Sequence, residues 1–202
     1  MAAFFGIISG SLFSQSDSLQ ISQKVSASKY FGFGGGYGTC GSTWGLKAAF
    51  VYKKGWGFGF SVKTNIVKSK DTPDDYYSDG YRVFAPKDYL TLYSADMIKE
   101  FSLSGKPNKI GIEAGVSLVK YNIAQFSPNP LYDPEASIGD GGLYLYDKSH
   151  SATRTIGLDL RVKAELAHKK STIIELALYS NINTLRPVVG LEMYICFGGK
   201  GK

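Results

Sequence analysis

Apolar and polar residues alternate along this chain in eight separate stretches. The clearest covers 153–167, where Ile156, Leu158, Leu160, Val162, Ala164 and Leu166 interleave with Gly157, Asp159, Arg161, Lys163 and Glu165. Successive side chains of a strand point to opposite faces, so a period of two predicts β-structure and excludes a helix. At 28–38, Phe31, Phe33 and Tyr37 oppose Gly32, Gly34, Gly36 and Gly38. At 44–53, Trp44, Leu46, Ala48, Phe50 and Tyr52 oppose Lys47, Val51 and Lys53, and at 56–67 Trp56, Phe58, Phe60 and Val62 oppose Gly57, Gly59, Ser61 and Lys63. The remaining stretches are 89–103, 109–123, 172–183 and 187–197, with Asp96 and Glu100, Glu113, Glu175 and Glu192 on their polar faces. One stretch is irregular: Lys99 falls on the apolar face of 89–103 and Ile98 on the polar face. A bulge, or a Lys99 side chain reaching along the strand to water, resolves the conflict.

The links between stretches are long only at every second junction. Short turns are predicted at 53–55, 104–108 and 168–171, and long segments at 68–87 and 126–152. A one-sided loop pattern of this kind predicts an antiparallel, up-and-down assembly whose two ends face different surroundings. Strands of about 10 residues are long enough to cross a hydrocarbon layer at a tilt.

Alternation alone fits two barrels: a soluble, lipocalin-like carrier with its apolar face inside, or a membrane barrel with that face outside. Three features favour the second. The apolar face is nearly free of charge along seven stretches. Its aromatics fall at two levels, Phe31, Tyr52, Trp56, Phe101 and Phe197 near the short turns and Tyr37, Trp44 and Tyr89 near the long links. Girdles at both interfaces suit lipid headgroups. The polar face carries both signs of charge and many glycines, as a narrow lumen requires.

The lumen of an eight-stranded barrel is filled by side chains rather than by a water channel. Lys47, Lys63, Arg161 and Lys163 are expected there with Asp96, Glu100, Glu113, Asp159, Glu165, Glu175 and Glu192. Buried charges persist only when paired, so a lumenal salt-bridge network is predicted. The acids outnumber these bases, and Lys53 is the expected further partner. Inward glycines at 32, 34, 36 and 38 relieve crowding and permit curvature.

The composition fits this picture. Of 202 residues, 14% are aromatic, 20% are charged and 24 are glycine. Mean hydropathy is −0.09, an average in which the two faces of each strand cancel. No run of about 20 apolar residues is present to form a spanning helix. Residues 1–15 have the apolar core of a secretory signal peptide without its basic start, followed by a polar lead-in at 16–27. The +6 net charge resides largely in the short turns and the basic tail 198–202, while the long segments carry Asp71, Asp74, Asp75, Asp79, Asp133, Glu135, Asp140 and Asp147. Such polarity argues against a nucleic-acid groove. Cys40 and Cys196 match no metal spacing and are expected at opposite barrel ends, too far apart to bond.

Over 28–197 the chain resembles the small outer-membrane β-barrels of Gram-negative bacteria, the OmpA/OmpX-like group. The last stretch, Val189-Gly190-Leu191-Glu192-Met193-Tyr194-Ile195-Cys196-Phe197, looks like that group's C-terminal assembly signal, although Gly198–Lys202 follows its aromatic residue. The resemblance implies an all-β, eight-stranded antiparallel transmembrane barrel, short periplasmic turns and two long extracellular loops. It implies outer-membrane lipid as surroundings and no cofactor. A structural or surface-interaction role follows, with a protein partner met through 68–87, 126–152 or the barrel wall, or within a larger complex.

Some outer-membrane barrels are lipid-modifying enzymes, so Asp147, Ser149, His150 and Ser151 are weighed as a nucleophile set. Residues one apart on a loop rarely converge, and a polar surface segment is the better reading. His168, beside Lys169 and Lys170, reads as a solvated turn. The run Gly32–Gly38 lacks the helix that a phosphate loop needs. The Asp71–Asp79 cluster matches no EF-hand spacing.

Overall fold

A computed structural model describes residues 28–52, 54–73, 87–103, 108–128, 146–169 and 171–200. The expected signal peptide and lead-in, Lys53, and most of both long links lie outside the described residues. Eight strands follow one another: β1 Ser28–Gly38, β2 Gly41–Val51, β3 Trp56–Lys68, β4 Lys87–Ser102, β5 Lys109–Pro128, β6 Tyr146–Lys169, β7 Thr172–Asn183 and β8 Val188–Lys200. Each pairs antiparallel with its sequence neighbour and β8 returns to β1, which closes the barrel and leaves no sheet edge around its circumference.

Several strand limits differ from the sequence reading. β2 begins at Gly41, and β8 runs on through Gly198–Lys200 against Ser28–Tyr30, so these tail residues belong to the wall. The larger correction concerns 126–152. Its two ends are strand, with Ser127 opposite Asp147 and Pro128 opposite Tyr146. β4 stops pairing with β5 at Asn122, and β7 stops pairing with β6 at Gly157. The residues Ile123–Pro128 and Tyr146–Ser151 therefore extend beyond their neighbours as a two-stranded ribbon.

The short turn after β2 depends on Gly55, whose φ of 78° is open to glycine at little cost. Its N–H donates to Tyr52 O at 2.9 Å, and Tyr52 N–H donates to Trp56 O at 2.7 Å. At the β1–β8 seam, a Cβ on Gly34 would meet Met193 O and stand 2.8 Å from Tyr194 Cγ. Glycine at this inward position thus makes room for the buried Tyr194 ring.

The register of β4 is unbroken, so Lys99 needs no bulge. The barrel's described irregularity lies instead in β6, between Glu165 and Ala167. The interior is also less uniformly polar than expected. Val67, Leu90, Leu92, Val119, Tyr179 and Val188 form an apolar cluster with Cys40 at the long-link end. Tyr30, Val51, Ile98, Ile173 and Tyr194 form a second, with Cys196, toward the short-turn end. The two cysteines are buried, free and in separate clusters.

Candidate functional site

All eleven predicted lumen charges point inward and are buried, none more than 6% exposed. Five inward strand faces, β1, β4, β5, β6 and β7, meet around Lys163. Its ammonium lies 2.9 Å from Glu113, 3.2 Å from Glu100 and 3.7 Å from Glu175, and it donates to the Tyr30 hydroxyl. Lys47 donates to Glu175 and lies 3.9 Å from Glu113. Arg161 bridges β5 to β8, donating from Nη1 to Glu113 Oε2 at 2.9 Å and from Nη2 to Glu192 Oε2 at 3.0 Å. Lys63 stands 3.4 Å from Glu192 and 3.5 Å from Asp159, with the Tyr179 ring 4.3 Å away. A guanidinium can hold two carboxylates in one plane, and that geometry fits the central bridging position of Arg161.

Lys109 and Asp96 depart from the expected set. Lys53 lies outside the described residues, and Lys109 provides a further cation, 2.8 Å from Glu100 and 4.0 Å from Glu165. Lys109 shares its strand face with Gly111 and Glu113, so its parity along the sequence would have placed it inside. Asp96 sits between Gly59 and Gly115 of the adjoining strands. It makes no ion pair or hydrogen bond among the described residues, and its Oδ1 is buried without a partner.

Polar contacts continue from the network to the long-link mouth. Asn181 donates to Ser117 at 2.7 Å and toward Asp159 at 3.5 Å, and Asn183 donates to Asn181 at 2.9 Å. Asn183 also accepts from the Arg186 N–H at 2.7 Å, and Arg186 donates to the Tyr121 hydroxyl, itself 3.0 Å from Asp88. The alternation of 172–183 already puts Asn181 on the polar face, whereas Asn183, Tyr121 and Asp88 lie toward strand ends, where the period-two contrast is weak.

The outer face is the reverse of the inner one. Phe60, Leu158 and Leu178 are 66%, 57% and 55% exposed. All eight expected girdle aromatics lie on this face. Phe31, Tyr37, Trp44, Tyr52, Trp56 and Phe197 are exposed, and Tyr89 and Phe101 are half-buried. Lys99 extends over Trp56, 4.6 Å from its ring, and donates to Lys54 O at 3.1 Å. Its charge thus reaches the backbone of the short turn at the barrel rim.

His150 lies on β6 opposite Ala124, with its ring 6.2 Å from Tyr89. Strand alternation sends Ser149 and Ser151 to the opposite face from His150, so these residues do not converge as a nucleophile set. Among the described residues, no group of three or more metal-ligating side chains occurs.

This closed, up-and-down, eight-stranded architecture is the fold of small outer-membrane barrels. It is similar to the N-terminal β-barrel domain of Pseudomonas aeruginosa OprF, at 11% identity and a TM-score of 0.52, over 85% of this chain and 96% of that one. Neisserial surface protein A (NspA) is 16% identical, with a TM-score of 0.48 over 87% and 96% of the two chains. No protein-family model matches the sequence, and no curated protein matches it. At 11% identity the likeness speaks for the fold.

Proposed function

We propose that this chain is an integral outer-membrane protein whose barrel acts as a closed, rigid mount for a surface-interaction element. The observation that carries this reading is the inverted polarity of the wall: a salt-bridge network inside and large apolar side chains outside. A soluble carrier needs the opposite arrangement, because water solvates charges and expels exposed hydrocarbon. The apolar clusters at Leu92 and Ile98 flank the charged layer, which supports a mount rather than a pore. The ribbon Ile123–Pro128 with Tyr146–Ser151 adds roughly 20 Å of reach at 3.3 Å per residue. It serves as the stalk of the contact surface, with a protein partner met there, at 68–87 or along the wall.

Membrane fractionation combined with gel migration of heated and unheated samples tests the barrel. The protein is expected in the detergent-extracted membrane fraction, with a heat-dependent shift. A protein that stays in solution without detergent overturns the reading. Trypsin added to intact cells is then expected to cut after Lys148 while the wall stays protected. Cleavage only after the cells are opened would reverse the assigned orientation.

A further inference from the structure

The outer face of β3–β6 carries three aligned rows of side chains. Phe60, Ala95, Val116 and Leu158 form one, and Val62, Tyr93, Leu118 and Ile156 form the next toward the long-link end. The third is Thr64, Thr91, Lys120 and Arg154. A shallow apolar groove of about 670 Å³ crosses the first two rows, with Ala48 and Ala95 as low points and Leu118 and Ile156 at its upper end. That volume lies within the roughly 300–1,000 Å³ of small-molecule sites. Directly above the groove stand Lys120 and Arg154, opposite each other on neighbouring strands.

Like charges placed directly opposite in a sheet destabilise it unless something neutralises them. Neither Lys120 nor Arg154 has a hydrogen bond or ion pair among the described residues. Lys68 and Lys87 repeat the same unfavourable pairing on the adjoining strands. The opposite half of this rim, on β1, β2, β7 and β8, presents Tyr37, Trp44, Ile182 and Val189 on its outer face instead. Beside Lys120, the Thr64 and Thr91 hydroxyls lie 3.2 Å apart and offer further hydrogen bonds to an anion.

We propose that this face binds one phosphate-bearing lipid of the outward leaflet, with an acyl chain in the groove and its phosphate on Lys120 and Arg154. The site rests on the membrane reading above and adds a specific lipid contact to it. A guanidinium pairs with phosphate through two parallel hydrogen bonds, and the adjacent ammonium adds a point charge. The chain and headgroup must enter together, because the apolar rows end where the charges begin.

The test uses the full chain in a neutral maltoside detergent, titrated with dimyristoyl phosphatidic acid and followed by native mass spectrometry. Dimyristoylglycerol supplies the chains without phosphate, and inorganic phosphate supplies the anion without chains. One phosphatidic acid per barrel is expected, with both comparison ligands held at least about tenfold more weakly. Lys120→Gln with Arg154→Gln should lower phosphatidic acid affinity about tenfold or more, since each surface cation contributes about 1 kcal/mol toward an anionic lipid. Ala95→Leu, which raises the groove floor, should lower it by a smaller factor. Lys29→Gln with Lys99→Gln removes the same charge from the other rim and should change nothing. Unchanged affinity in the Lys120/Arg154 variant, equal loss in the Lys29/Lys99 variant, or equal binding of inorganic phosphate overturns the proposal. Where the double variant loses its heat-shifted form, Arg154→Gln alone is used, with an intermediate loss expected. Failure of the membrane reading shows separately, as wild-type protein that is soluble without detergent and has no heat shift.

Discussion

The inner and outer faces of β6 lie on one backbone, yet they obey opposite rules. Inside, Asp159, Arg161, Lys163 and Glu165 are buried and held by ion pairs from five other strands. Outside, Leu158, Leu160, Val162 and Leu166 are exposed. In a soluble protein the first set would be costly to bury and the second would drive aggregation. Together they describe a wall whose solvent is hydrocarbon and whose core is electrostatic. Stability then depends on charge geometry inside and on the absence of charge outside.

The strongest break of this contrast is Arg161→Met. It keeps the side-chain volume but leaves Glu113 and Glu192 without their shared partner, and removing one member of a buried pair typically costs about 3–5 kcal/mol. Lys163 still lies 2.9 Å from Glu113 and Lys63 lies 3.4 Å from Glu192, so a loss near about 3 kcal/mol is expected. The measurement is the urea midpoint of the gel-shifted form. An unchanged midpoint for this variant and for Glu113→Gln would show that the network does not hold the barrel.

Leu160→Arg attacks the other face, one residue away. Leu160 lies between Ala114 and Ser180 on the adjoining strands, well inside the apolar band. An arginine facing hydrocarbon at that depth costs roughly 2–4 kcal/mol, falling toward zero near the interfaces. Folding into lipid vesicles should weaken accordingly, while Ala152→Arg, on the same outer face opposite Asn122 at the ribbon's base, should have little effect. Equal tolerance at both positions would mean that the exposed apolar face is not covered by lipid.

How much of this contrast could be read in the sequence depended on where two media meet. β7 lies between lumen and hydrocarbon for its full length, and its limits agree with the alternation at 172–183. The ribbon of Ile123–Pro128 and Tyr146–Ser151 projects past its neighbouring strands, where apolar Ala124 and Phe126 pair with polar His150 and Lys148 and the period-two contrast disappears. Those strand ends therefore read as loop. β4 was blurred for another reason: Leu90, Leu92 and Ile98 point inward to the apolar clusters, so its inner face is not uniformly polar. The identity of the charged residues was local information, but their partners were not. Lys47 meets Glu175 across 128 residues of sequence, and only closure of the barrel brings β2 opposite β7.

Lys99→Gln is a milder probe, because its cation sits over Trp56 and Phe101 at the short-turn rim. Loss of an exposed cation–π contact costs about 0.5–1 kcal/mol. The same substitution at Lys29, over the Phe50 ring at 5.2 Å, should behave alike. A loss as large as that of Arg161→Met would place Lys99 in hydrocarbon rather than at the interface.

The smallest expected effect is the most discriminating. Asp96 and Glu113 are both inward and buried, on adjacent strands, yet Glu113 touches Lys47, Arg161 and Lys163 while Asp96 touches no cation. If burial alone decided the cost of losing a carboxylate, Asn at 96 and Gln at 113 would be equally damaging. If pairing decides, Glu113→Gln removes three attractions, whereas Asp96→Asn removes only the cost of holding a lone carboxyl away from water. Asp96→Asn should therefore leave the unfolding midpoint unchanged or raise it, while Glu113→Gln lowers it. Because Gly59 and Gly115 flank Asp96, the amide fits where the carboxyl does, and packing does not confound the comparison. A large loss in Asp96→Asn would reveal a partner that completes the network at this position.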